Sequence, residues 1–169
     1  AHPEGYDLLP ETLQTASAFA KESGGSFSKT TLMEEAFHDA DIVYPKSWAP
    51  MSVMQQRTKL LKAGDKQGLK ELELQCLAQN EKFIDWECDE EMMKKTKNGN
   101  ALYEHCLPAD ISDVSCANGE VAKSVFEKYR LHTYQEAGYK PFVIAAMIFM
   151  SKVNKPVDKL RSFWEHRAV

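Results

Sequence analysis

A histidine and a cysteine stand side by side at the end of a short apolar run, in the stretch ALYEHCLPAD at residues 101–110. Residues 101–103 predict a buried strand, and Pro108 ends it because proline has no N–H to donate to a neighbouring strand. In open parallel sheets, ligands bind just outside the carboxyl ends of the strands. His105 and Cys106 therefore fall where such a fold places chemistry. His105 could donate a hydrogen bond to a carbonyl oxygen on which negative charge develops.

Other interpretations of this pair follow from its spacing. Adjacent residues on a strand point to opposite faces, so a proton transfer between Cys106 and His105 is disfavoured, and a cysteine hydrolase is a poor interpretation. Cys106 is more typical of a small, partly buried thiol that lines a pocket. For His105, the alternative to a functional site is a core histidine bonded to the backbone.

A second loop should meet the first at the same edge of the sheet. Residues 41–44 predict another strand, and Lys46, Ser47 and Trp48 follow it. Lys46 could bind an anionic group and Trp48 could form the wall of a pocket, although loop lysines are usually solvated and loop tryptophans usually pack. Lys140 precedes an apolar helix, near an N-terminus where anions are favoured.

Strand and helix patterns alternate along the chain, which predicts an α/β protein with a doubly wound parallel sheet and helices on both faces. The run 142–150, FVIAAMIFM, is apolar on every side and predicts a helix buried on all faces. The remaining helices are predicted at 10–23, 32–40, 53–63, 65–79, 89–95 and 119–129 and near Leu160, and further strands at 26–30, 83–86 and 131–134.

Composition restricts the function classes. The chain has 169 residues, enough for one domain with a core, and its net charge of −4 argues against a nucleic-acid surface. Its longest apolar run is shorter than the roughly 20 residues that cross a bilayer. The start lacks the features of a signal peptide, so we expect a cytoplasmic protein. Four cysteines without a CxxC pair predict reduced thiols and no zinc site, and the absence of a glycine-rich phosphate loop gives nucleotide binding no support.

Several motifs together resemble the ornithine carbamoyltransferase family. His105-Cys106-Leu107-Pro108 is similar to the family's HCLP motif, and residues 3–6, PEGY, are similar to its P-x-G-Y loop. The strand at 41–44 with the K-S-W loop resembles the strand and tryptophan loop that bind the amine substrate. The Glu-Ala pair at 136–137 resembles the pair that precedes the family's last helix, and the run 142–150 resembles that helix. The resemblance extends over essentially the whole chain.

This resemblance implies a fold and a reaction. The fold is a Rossmann-like domain, incomplete at its N-terminus, in which residues 1–169 form the C-terminal, amine-binding part of a carbamoyltransferase whose carbamoyl-phosphate domain is absent from this chain. An amine attacks carbamoyl phosphate, and phosphate leaves. His105 donates to the carbamoyl oxygen, the carbonyls of Cys106 and Leu107 accept hydrogen bonds, and Pro108 contributes to substrate binding. No metal or organic cofactor is expected, the full enzyme is a homotrimer, and the fragment alone is inactive.

Two departures from the family pattern bear on the substrate. Residues 44–51 read YPKSWAPM where ornithine enzymes have D-x-W-x-S-M-G, so an acceptor other than ornithine is implied. This part resembles the acylated-ornithine and orphan transcarbamylases, a branch whose second domain is knotted. Lys140 is the nearest candidate for the role of a family arginine. Two alternatives stay open: a catabolic direction of the reaction, and a non-catalytic module that keeps the fold and binds a partner or metabolite.

Overall fold

The computed structural model describes residues 1–46 and 49–166, in two compact units, Ala1–Tyr129 and Arg130–Val169. The helices along the chain are α1 (Pro10–Glu22), α2 (Met33–Phe37), α3 (Met51–Ala63), α4 (Lys66–Asn80), α5 (Glu90–Lys94), α6 (Lys123–Gly138), α7 (Lys140–Lys152) and α8 (Pro156–Glu165), with 3₁₀ turns at Glu81–Phe83 and Lys97–Gly99.

The two strands of the first unit lie parallel, as the sequence predicts. β1 (Ile42–Val43) pairs with β2 (Leu102–Tyr103), with Val43 opposite Tyr103. The Leu102 N–H donates to Asp41 O at 2.9 Å and the Glu104 N–H donates to Val43 O at 3.0 Å. Parallel strands need a long crossover, and here α3, α4 and α5 supply it. The α/β class with a parallel sheet is therefore confirmed.

A third extended segment, residues 120–122, is paired on both sides. The Cys88 N–H donates to Glu120 O at 2.9 Å, and the Ala122 N–H donates to Cys88 O at 3.1 Å. On the other side, the Ser112 N–H donates to Val121 O at 3.0 Å. The segment satisfies its backbone groups inside the protein, which buried polar groups require.

The core of the first unit surrounds these paired segments. Val121 is fully buried, and Tyr103 and Val125 are each 1% exposed. Val125 and Tyr129 are one turn apart on α6 and face the same side. The other members of the cluster are Val43, Cys88, Met93, Ala101 and Ile111.

Capping residues fix the helix boundaries that the sequence predicts well. Gly64 lies at φ 67° between α3 and α4, in the left-handed region that glycine tolerates, and Asp65 caps α4 by accepting from the Gly68 N–H at 2.8 Å. Asp89 accepts from the Met92 N–H at 2.8 Å, which confirms the predicted cap of α5.

Three predicted strands are wrong. Residues 131–134 lie inside α6, because the apolar spacing that buries Val125 and Tyr129 belongs to one continuous helix. Residues 83–86 include the last residue of a 3₁₀ turn and the three residues that follow it, and the Trp86 N–H donates to Phe83 O at 2.9 Å. Residues 26–30 have no strand, and their Thr30 carbonyl accepts from the His2 N–H at 3.2 Å. The helix predicted from Gly119 begins only at Lys123, because residues 120–122 are held in extended pairing.

The apolar helix α7 is not buried on all faces, so that prediction is also wrong. No residue of α7 is buried, and Phe142 is 72% exposed. A helix that is apolar on every side is expected to be covered by another protein surface, and the described part of the chain does not provide one. Within residues 1–46 and 49–166, no helix combines the length and the apolar character that a membrane crossing requires.

Candidate functional site

Two loops leave the paired strands at the same end and lie side by side. Val43 is opposite Tyr103 in the ladder, so Tyr44 and Lys46 continue from β1 while His105 and Cys106 continue from β2. The rings of Tyr44 and His105 meet edge to face, with centroids 6.4 Å apart. The sequence prediction that Lys46 and the His105 loop share one edge of the sheet is consistent with this register.

His105 is held by groups of the protein on both ring nitrogens. Its Nδ1 lies 2.5 Å from Cys106 O. Because a carbonyl can only accept, Nδ1 carries a proton. Its Nε2 lies 3.0 Å from Glu120 Oε1, although the ring N–H is not aligned on that oxygen. The His105 side chain is 1% exposed.

Glu120 is the buried counter-charge of this histidine. Its side chain is 3% exposed, and Oε1 also accepts from the Asp110 N–H at 3.0 Å. Burial disfavours both charged forms, but the contact between the two groups outweighs it: the pKa of His105 is raised and the pKa of Glu120 is lowered. The Cys106 carbonyl adds to the first shift, and the Asp110 N–H adds to the second. Both shifts favour the charged forms of the two groups, an imidazolium beside a carboxylate.

Aromatic rings pack beside the His105 imidazole. Tyr103 is tilted against His105 with centroids 6.1 Å apart and is stacked on Tyr129 at 5.5 Å. Burial raises the pKa of Tyr103 and raises the pKa of the Cys88 thiol to about 12, so both groups are neutral. The ion pair thus stands in an apolar, uncharged setting where electrostatic contacts are strong.

The Cys106 thiol faces the other loop. Its pKa is lowered, first by a hydrogen bond from the Tyr44 hydroxyl and then by the Lys46 ammonium. Burial opposes the shift, and the charge of His105 supports it. The thiol therefore belongs to a polar group with Tyr44 and Lys46, a contact that the sequence does not predict.

A cavity of about 570 Å³ opens next to this loop. Tyr44, Lys46 and Ala49 line it at the strand end, and Phe27 and Leu13 lie among its apolar walls. Its volume is within the range of small-molecule sites.

The other predicted site residues stand as follows. Leu107 and Pro108 are exposed and joined by a cis peptide bond. Ser47 and Trp48 lie outside the described residues. Lys140 begins α7, in the unit Arg130–Val169. The roles given to all of these residues stay predictions. In the described part of the chain, no three His, Cys, Asp or Glu side chains form a group that could hold a metal ion.

Glu120 is the functional candidate that sequence reasoning missed. It lies 15 residues beyond His105, in a stretch that the sequence assigns to a helix. The one signal that could have revealed it is a carboxylate between Gly119 and the apolar Val121, in a segment too short to show a strand period.

Gly119 sets the position of Glu120, and its replacement should be costly. A Cβ at this position would lie 1.9 Å from Asp110 O, which is backbone and cannot move aside freely. We expect Gly119→Ala to lower the free energy of unfolding by about 1–3 kcal/mol, as overpacking does. Urea denaturation of the variant and the parent protein measures this change.

Gly138 offers a matched control, because a Cβ there meets nothing within 4 Å. Gly138→Ala should leave the urea midpoint unchanged or slightly raised. Equal midpoints for the two alanine variants would contradict the packing explanation for Gly119.

Comparisons with known proteins agree with this α/β architecture. The family model for the aspartate/ornithine carbamoyltransferase Asp/Orn-binding domain matches residues 1–151. The chain belongs to the aspartate/ornithine carbamoyltransferase family.

Two relatives illustrate the range of similarity. "Putative carbamoyltransferase YgeW" from Escherichia coli O157:H7 is 65% identical over 156 residues, which is 92% of this chain and 39% of the relative. The catabolic ornithine carbamoyltransferase of Bacillus licheniformis is 27% identical over 158 residues, 90% of this chain and 37% of the relative. The chain thus spans well under half the length of these relatives.

Solved structures share the fold. The ornithine carbamoyltransferase from Pyrococcus furiosus matches 75% of this chain and 32% of its own, with TM-score 0.51 and 27% identity. An N-acetyl-L-ornithine transcarbamylase matches 74% of this chain and 31% of its own, with TM-score 0.51 and 21% identity. The second comparison bears on the fold alone. The Rossmann-like α/β expectation is therefore confirmed.

Proposed function

We propose that residues 1–169 are the amine-binding part of a transcarbamylase, a longer protein whose other domain binds carbamoyl phosphate. In the reaction, the amine nitrogen forms a bond to the carbonyl carbon of carbamoyl phosphate. The bond from that carbon to the phosphate oxygen breaks, and phosphate leaves with the electron pair and the proton released by the amine. The catabolic direction runs these steps in reverse. The acceptor is not ornithine.

The observation that carries this proposal is the charged His105–Glu120 pair at the end of β2. The ring is fixed by Cys106 O at 2.5 Å and by Glu120 at 3.0 Å, which leaves an imidazolium held at the sheet edge. A preorganised positive group at such a place stabilises the oxyanion of an acyl-transfer transition state without reorganisation.

Each site residue has a role in the proposal. The Nε2–H of His105, which is not aligned on Glu120, turns toward the carbamoyl oxygen when the loop at Leu107 and Pro108 gives the ring access. The carbonyls of Cys106 and Leu107 accept from the carbamoyl NH₂. Lys46, Ser47, Trp48 and Lys140 bind the second substrate. No metal or organic cofactor takes part, since positioning and charge suffice for this chemistry.

The full-length protein is proposed to act in the cytoplasm as a homotrimer, with sites shared between subunits. The proposal of this assembly is supported by analogy with the family to which the chain belongs.

The test is phosphate release from carbamoyl phosphate by the full-length protein with a panel of amines, among them N-acylated ornithines, putrescine and aspartate. We expect release with at least one amine, and loss of release in His105→Ala. We also expect none from the 169-residue chain alone. Binding of carbamoyl phosphate without release by any amine would favour a non-catalytic module instead, and release that survives complete alkylation of Cys106 would dispose of a cysteine nucleophile.

A further inference from the structure

Ser112 holds the backbone on both sides of Glu120, the counter-charge of His105. The Ser112 N–H donates to the Val121 carbonyl at 3.0 Å. The Ser112 hydroxyl oxygen accepts from the Gly119 N–H at 2.8 Å. Ser112 therefore bonds to the residue before Glu120 and to the residue after it.

The Ser112 hydroxyl is itself oriented by a carboxylate. It donates its proton to Glu87, and both side chains are half-buried. Because the proton points at Glu87, the lone pairs of the oxygen stay available to the Gly119 N–H. A hydrogen bond to a carboxylate is about twice as strong as a neutral one, so the hydroxyl is held in this orientation.

Glu87 also connects the two neighbours of the extended segment 120–122. It precedes Cys88, which pairs with one side of the segment by two backbone hydrogen bonds. Ser112 pairs with the other side. The Glu87–Ser112 contact thus joins both neighbours, and a shift of the segment would disturb hydrogen bonds on both sides.

The position of the Glu120 carboxylate matters because its Oε1 has two partners. It lies 3.0 Å from His105 Nε2 and accepts from the Asp110 N–H at 3.0 Å. A displacement of about 1 Å in a supporting group can cost a large part of an enzyme's rate. The backbone on each side of Glu120 must therefore be fixed if its carboxylate is to stay on His105.

We infer that Ser112, oriented by Glu87, is a positioning residue for the proposed reaction, because it holds Glu120 against His105. The inference rests on the proposed function and adds a residue to the same site. Ser112 acts through Glu120 and does not touch the substrate. A serine that only stabilised its loop would lower the stability of the protein without changing the protonation of His105.

The first test is the pH dependence of kcat for phosphate release by the full-length protein. Ser112→Ala removes the acceptor of the Gly119 N–H, and kcat should fall about 2- to 10-fold, the usual effect of one hydrogen bond. The apparent pKa on the alkaline side should also fall, because a displaced Glu120 no longer raises the pKa of His105. Ser112→Thr keeps the hydroxyl and should retain both values. KM for the amine should change little in either variant.

Ser115 offers a matched control in the same loop. Its hydroxyl accepts from the Ile111 N–H at 2.7 Å and donates to Ala109 O at 3.2 Å. Ser115→Ala therefore removes a comparable backbone contact away from the two residues that flank Glu120. We expect it to lower the urea midpoint as Ser112→Ala does, and to leave the alkaline pKa of kcat unchanged.

An NMR titration of the His105 imidazole tests the positioning without turnover. The full-length protein carries isotope-labelled histidine, and the spectrum of His105→Asn assigns the signal. The other titratable side chains next to the ring are Tyr44, Tyr103 and Cys106, and none of them is replaced. The pKa of His105 should fall in Ser112→Ala and stay at the parent value in Ser112→Thr.

The outcomes separate the inference from the function on which it rests. An unchanged His105 pKa in Ser112→Ala, or an equal shift in Ser115→Ala, overturns the inference alone, because the hydroxyl then only stabilises the loop. So does full additivity of the kcat losses of Ser112→Ala and Glu120→Gln, since a residue that acts through Glu120 has nothing left to position. Absence of release with every amine overturns the proposed function, and the titration still decides whether Ser112 positions Glu120.

Discussion

Replacing Glu120 by glutamine should destabilise the protein most strongly between about pH 4.5 and pH 6.5, the ordinary pKa values of the two partners. Removal of one partner from a buried ion pair costs about 3–5 kcal/mol, because the other charge is left without compensation. Glutamine keeps the shape of the side chain and can still accept from the Asp110 N–H, so the loss reports on the charge.

The pH window follows from the direction of each pKa shift. The pKa of Glu120 is lowered on folding, so its contribution is present above the ordinary value of 4.5 and is lost as the pH falls through the folded pKa. The pKa of His105 is raised on folding, so its contribution is present below the ordinary value of 6.5 and is lost as the pH rises through the folded pKa. The stabilisation by the His105–Glu120 pair therefore declines both at pH values below this window and at pH values above it.

Urea unfolding of the parent protein and Glu120→Gln at pH 3, 5.5 and 9 tests this expectation. Glu73→Gln is the control, because Glu73 is exposed on α4 and its replacement should change stability by less than about 0.5 kcal/mol. A stability difference for Glu120→Gln that is the same at the three pH values would refute the ion pair.

The placement of the two loops could be predicted from sequence because it depends on local signals. An apolar run followed by proline marks the end of β2, and the same pattern marks the end of β1, with Pro45. Once the strands are parallel, their carboxyl ends must share an edge. The positions of the Lys46 and His105 loops could therefore be predicted without knowing how the side chains pack.

Glu120 could not be predicted because its role depends on contacts distant in sequence. Its carboxylate meets His105 only after residues 120–122 pair with Cys88 and with Ser112. A three-residue segment has no measurable period, and its neighbour Lys123 begins a helix. Local pattern alone therefore predicts a helix for the whole stretch.

The wrong strands at 131–134 and 83–86 have a different cause. Short runs with aromatic and β-branched residues fit a strand or a helix about equally well, and the surrounding context decides. For residues 131–134 the context is the continuation of α6 beyond the buried Tyr129, whereas residues 83–86 follow directly on the end of α4. The helix α7 shows a second limit of prediction from sequence. Its apolar composition indicates that its surface is to be covered, but it does not identify the partner that covers it.

His105→Asn should lower kcat of the full-length protein on the order of 10²- to 10³-fold, the usual cost of removing one oxyanion donor. The asparagine amide is too short to reach the position of Nε2, carries no charge and cannot bridge both Cys106 O and Glu120. KM for the acceptor amine should change little, since Lys46 rather than His105 is proposed to bind it. Steady-state phosphate release gives both constants.

The decisive comparison is the double variant. If Glu120 acts only by holding and charging His105, then adding Glu120→Gln to His105→Asn should cost little further activity, because the two residues function as one unit. Glu120→Gln alone should lower kcat and lower the apparent pKa at which activity falls on the alkaline side, since the carboxylate no longer raises the pKa of His105. Full additivity of the two losses would mean that Glu120 affects the reaction by a route of its own, and the assignment of Glu120 as a residue that acts only through His105 would then fail.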